Sequence, residues 1–268
     1  MKGPTPLLDC FRRGEVARDV RLLTAEGALA PRAHEQIAIL VLLLEDADPE
    51  IRRAADETLC RIPVERLAVF LAQPDVPVEI RDRFAARGIT PVNAIDPAID
   101  PPVDLALDLD GPLIDTSESA SESATGENDP RRSVVHGISQ MSFTDRLKAA
   151  IKGTREMRAV LIRDTNKMVA AAVLSCPKLT ESEVETFARM ANVGEDVLRV
   201  IGGNRAWTRH YGVVVGLTRN PKTPVAIALN LIPRLNARDL LTLSVDRNVP
   251  EAVRKGARKK LTTGVARG

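Results

Sequence analysis

The sequence predicts an all-α protein made of helical hairpins in two small domains joined by a disordered acidic linker. Three observations carry this. Hydrophobic residues make up 44% of the chain but aromatic ones only 3%, so the core must be built from Ala, Leu and Val, which suit closely packed helices better than a sheet. The C-terminal part matches itself when Leu161 is laid on Leu217, and the stretch between Arg87 and Arg131 holds ten acids and no Lys or Arg.

The N-terminal domain, expected over 1–88, contains the longest apolar run, residues 37–44 (IAILVLLL), fenced by Glu35 and Glu45. It is far too short for the ~20 residues of a membrane span and reads as a buried helix. Asp46-Ala47-Asp48-Pro49-Glu50-Ile51 then opens a second helix: an acid to cap the free N–H groups, a proline that lacks one, and a glutamate at the positive end of the dipole. Pro77-Val78-Glu79-Ile80-Arg81 opens another in the same way. At the start of the chain, Asp9 and Arg12 interrupt before an apolar stretch can form, which predicts no signal peptide and a cytoplasmic location.

The linker, expected over 89–138, is rich first in proline and then in serine, a composition too charged and too poor in bulky residues to pack. Within it, residues 101–110 (PPVDLALDLD) alternate apolar and acidic positions and suit a short docking peptide. Net charge is −2 over 1–87, −10 over 88–130 and +14 over 131–268. The split gives the linker the charge to mask the basic C-terminal domain.

In the C-terminal domain, expected over 139–268, Leu161-Ile162-Arg163-Asp164 aligns with Leu217-Thr218-Arg219-Asn220, and Val169-Ala170-Ala171-Ala172 with Val225-Ala226-Ile227-Ala228. Cys176-Pro177 meets Ile232-Pro233, and Asn192-Val193 meets Asn248-Val249, all without a gap. Agreement in small, apolar and proline positions is the mark of duplicated helical hairpins. The unequal repeat lengths leave the number of hairpins open.

The D-x-x-x-x-V/I-R-x-x-A pattern, seen from Asp46 to Ala55, resembles HEAT-like helical repeats, including bacterial versions related to leucine-rich-repeat variants. The resemblance covers roughly 15–87 and 142–262. It implies an α-solenoid in each domain and a bacterial HEAT-like type to which no activity is assigned.

Two groups of residues are candidate partner-binding sites. The stretch GGNRAWTRHY holds the single tryptophan, Trp207, with Arg205, Arg209 and His210. Since Trp207 falls on Ile151 in the same self-alignment, it reads as a packing residue, with Gly202, Gly203 and Asn204 ending one helix and capping the next. The other reading is a concave patch in which the two arginines and the histidine surround a partly exposed indole. On the last helix, Arg254, Lys255, Arg258, Lys259 and Lys260 form a basic face; it is either a solvated terminal cap or a grip for polyanions.

The cysteines Cys10, Cys60 and Cys176 are isolated and read as small core residues. Neither the three histidines nor any glycine-rich loop, metal cluster or triad supplies chemistry, so no enzyme and no cofactor is expected. The leading expectation is a protein–protein interaction scaffold or adaptor. The alternative is a nucleic-acid-binding module that grips phosphates through the basic domain.

Overall fold

The computed structural model describes residues 6–29, 31–91, 111–116 and 130–265. Every regular element among them is helical, as the aliphatic composition predicts. The docking peptide expected over 101–110 lies outside the described residues, as does most of the acidic stretch.

The chain divides into two compact units. The first takes in Thr5–Arg158 and Ser175–Lys178, the second Ala159–Leu174 and Leu179–Gly268. The first holds α1 (Pro6–Arg12), α2 (Arg18–Ala25), α3 (Ala33–Leu43), α4 (Pro49–Arg61), α5 (Val64–Leu71), α6 (Val78–Ala85), α7 (Pro130–Gln140) and α8 (Phe143–Lys152). Helix α9 (Arg155–Leu161) spans the division. The second holds α10 (Lys167–Leu174), α11 (Glu181–Arg189), α12 (Glu195–Gly203), α13 (Arg205–Thr208), α14 (Tyr211–Arg219), α15 (Val225–Leu231), a 3-10 turn (Ile232–Arg234), α16 (Ala237–Val245) and α17 (Glu251–Val265). Helices α7 and α8, placed by sequence in the linker and the C-terminal domain, group with the first unit.

The local chemistry of helix starts is as read at α4 but not at α6, where Pro77 is itself the cap position and no side chain accepts from the first turn. Asp48 accepts a hydrogen bond from Glu50 N–H ahead of α4, with Pro49 at its first position. Thr180 and Glu183 close a reciprocal capping box on α11, and Asn236 caps α16 by accepting from Asp239 N–H. The apolar run is the core of the first unit: Ile37, Ile39, Leu40 and Leu43 of α3 are buried, and α3 packs on α1, α2 and α4.

The expected fence at Glu35 turns inward instead. Its carboxylate is buried and accepts the N–H groups of Leu7 at 2.8 Å and Leu8 at 3.0 Å, the unsatisfied first turn of α1. Desolvation pushes this carboxyl up to about 7, against the hydrogen bonds from Leu8, Ser175 and Leu7. Cys10 and Cys176 are core residues, but Cys60 is exposed on α4, so the reading of all three cysteines as buried is corrected.

In the second unit the helices form two rows. Helix α14 packs on α11 and on α16, while α12 packs on α10 and α15, and α15 on α17. Three hairpins share one internal spacing, with equal chain lengths separating the helix starts Glu181 and Glu195, Tyr211 and Val225, and Ala237 and Glu251. The steps between hairpins are unequal. The one from Glu181 to Tyr211 is a helical turn longer than the one from Tyr211 to Ala237, because it holds the extra helix α13.

Candidate functional site

The sequence GGNRAWTRHY is that extra helix with its two joints. Asn204 is the last cap of α12 and the first of α13, accepting from Ala206 N–H at 2.9 Å. Thr208 Oγ1 donates to Asn204 C=O at 2.8 Å, and Arg234 donates to the Thr208 carbonyl. Gly202 is required by contact: a Cβ there would come within 2.5 Å of Ile227 Cγ2, so α12 and α15 meet closely at that point.

Trp207 is only 6% exposed. The partly exposed indole of the concave-patch reading is therefore corrected: the ring has no open face on which a base can stack. Arg205 and Arg209 remain exposed beside it, but His210 is engaged, its Nε2 lying 2.6 Å from Glu181 Oε1. Tyr211, next in line, donates to Asp239 at 2.5 Å and accepts from Asn236 N–H at 3.1 Å. Burial first, and then its bond to Asp239, pushes the Tyr211 hydroxyl upward in pKa. The stretch is thus a joint whose polar groups tie α13 and α14 to α11 and α16.

The basic face of α17 is likewise partly committed. Lys255 pairs with Glu251 at 2.8 Å and holds that carboxyl below its ordinary value. Arg258 donates through Nε and Nη2 to the carbonyl of Ser244 at 3.2 and 3.0 Å, capping the end of α16. Arg254 is half-buried, while Lys255, Arg258, Lys259 and Lys260 are exposed.

Sequence reasoning missed a concavity at the helix starts of the second unit. The loops that start α12, α15 and α17 line an open groove of about 550 Å³. Its walls include Glu195, Lys222, Pro224, Val225 and Pro250, one set from each of three successive hairpins. Val225 is 37% exposed and Leu229, one turn on, 38%. The available signal was the recurrence of Asp or Asn at the first loop position, where Asn220 and Asp246 each accept the N–H two residues on.

Among the described residues no group of three or more His, Cys, Asp or Glu side chains is arranged to hold a metal ion, and no helix is long and apolar enough to cross a membrane. The chain matches no protein family, no curated protein and no solved structure.

Proposed function

We propose that the chain is an interaction scaffold of HEAT-like solenoid character, whose second unit holds a protein segment in the groove across its hairpin loops. The observation that carries this reading is the groove's lining. Exposed Val225 and prolines from two loops offer apolar contact, while Glu195 and Lys222 set charges of both signs on the rim. A phosphate backbone gains from cations alone and finds at Glu195 a carboxylate already paired with Arg199 at 2.6 Å, whereas a peptide with its own mixture of apolar and charged side chains suits a rim of both signs. Stacked repeats build such surfaces by contributing one small set of residues each.

The test is site-specific photocrosslinking in the full chain, with the reactive side chain at Val225 and, as control, at Leu241, which is 59% exposed on α16. A discrete protein adduct at Val225, absent at Leu241 and removed by Lys222→Glu, is the expected result. Equal labelling at both positions overturns it.

A further inference from the structure

Within the acidic stretch, one short segment is held on the first unit. It comprises Gly111, Pro112, Leu113, Ile114, Asp115 and Thr116, and it forms no helix. The amide of Gln36 reads its main chain in both directions. The Gln36 Oε1 accepts from Leu113 N–H at 2.8 Å and Ile114 N–H at 3.2 Å, and Nε2 donates to the Ile114 carbonyl at 2.5 Å. Ala33 N–H, at the start of α3, donates to the Gly111 carbonyl at 3.1 Å, and Arg66 of α5 donates to the Leu113 carbonyl at 3.2 Å. At the far end Thr116 N–H donates to the Gly27 carbonyl at 3.2 Å and its hydroxyl to Glu26 C=O at 2.7 Å.

The contacts are made chiefly to the main chain of the segment. Six backbone polar groups of the segment are paired by residues from three separate places in the first unit, much as an edge strand pairs with an added one. Side chains add selectivity. Leu113 is 4% exposed and Gly111 is buried, while Asp115 pairs with Lys152. Gly27 takes φ +80°, and a Cβ there would stand 3.0 Å from Thr58 Cγ2 of α4 and 3.2 Å from Thr116 Cγ2, so helix and segment both approach this glycine closely.

We propose that this seat is a peptide-binding site, that residues 111–116 are its built-in occupant, and that a partner segment of the same chemistry displaces them. That chemistry is Gly-Pro, two aliphatic residues, an acid and a hydroxyl residue. Covalent attachment gives the built-in segment a local concentration on the order of millimolar. The site is therefore closed to weak outside peptides and opens to tighter ones, which makes occupancy by a partner a switch. The loop groove of the second unit plays no part in this inference.

The experiment uses the full chain and a fluorescent peptide of residues 110–117, DGPLIDTS. Leu113→Asp unseats the built-in segment, so the variant binds the peptide at least ~10-fold more tightly than the wild type does. Adding Gln36→Leu abolishes that binding. Hydrogen exchange of the unaltered protein supplies a reading that no substitution disturbs: the amides of Leu113, Ile114 and Thr116 are protected. Exchange at free-peptide rates overturns the proposal. So does a Leu113→Asp variant that keeps its helical circular dichroism yet ignores the peptide. Protection that grows with protein concentration also overturns it, since a second copy would then supply the segment.

Discussion

Two buried residues set the clearest expectations for single side chains. Glu35 has a folded value of about 7 against an ordinary value of 4.5, because burial penalises its charge more than the N–H groups of α1 favour it. The folded state therefore holds a proton that the unfolded state has lost, and stability is full below pH 4.5 and declines as pH rises through 7. The loss is on the order of 3 kcal/mol. Glu35→Gln keeps an acceptor for α1 without the charge, so urea midpoints measured from pH 5 to 8 should fall for the wild type and stay level for the variant. Trp207 gives the second expectation. Being the one tryptophan of the chain and buried, it should emit at short wavelength and resist iodide quenching, and Trp207→Ala should cost about 3–5 kcal/mol. Its burial was half legible: the repeat register put it on Ile151, itself 1% exposed. Nothing in the sequence, however, marked the inward turn of Glu35, which depends on where α1 begins against α3.

At the scale of elements, the structure explains why the self-match joins Leu161 to Leu217 and not to a position one hairpin away. The hairpins start at Arg155, Glu181, Tyr211 and Ala237. The first and last of the three steps between them are equal, and the middle one is longer by a helical turn. A short and a long step add to the same total in either order. A comparison at the length of one hairpin loses register at α13, whereas a comparison over two regains it. The helical spacing was thus legible and the number of hairpins was not, because one extra helical turn breaks the register from one hairpin start to the next. The loops carry the same lesson. Asn220 is 4% exposed and donates through Nδ2 to the carbonyls of Ala188 at 2.8 Å and Met190 at 3.0 Å, so it closes its own turn and that of the preceding hairpin. Met190, which has no side-chain oxygen, cannot close its own. Asn220→Ala should therefore strand buried carbonyls of α11 and lower stability by about 2–4 kcal/mol. Asp164→Ala, at the matching but less buried loop, should cost about 1 kcal/mol or less; chemical denaturation of both variants checks the difference.

For the whole molecule the decisive quantity is where the charge goes. The +14 of residues 131–268 suggested a grip for polyanions; it already discounts every acid of that part, so the pairs Arg189 with Glu185, Arg199 with Glu195, Arg219 with Asp239, Lys167 with Asp196 and Lys255 with Glu251 fix where particular cations sit without lowering the excess. Composition counts these cations, but only coordinates show their partners, which is why the balance between the protein-binding and nucleic-acid readings could not be drawn from sequence. The acidic stretch shows the same limit. Its charge was plain, while the seat for GPLIDT depends on Gln36 inside an apolar helix and on one glycine with positive φ, neither of which looks like a binding signal in sequence. If the exposed cations Arg205, Arg209, Lys259 and Lys260 do not act together, the full chain should bind duplex DNA only at low salt. Its affinity should then fall with a log–log slope shallower than about −3, since each phosphate neutralised adds about −0.9. Changing Lys259 and Lys260 to alanine should leave the photocrosslink at Val225 intact. A slope steeper than about −5 that flattens in the double variant would mean that α17 lies along a phosphate backbone, and would put nucleic-acid binding ahead of the scaffold.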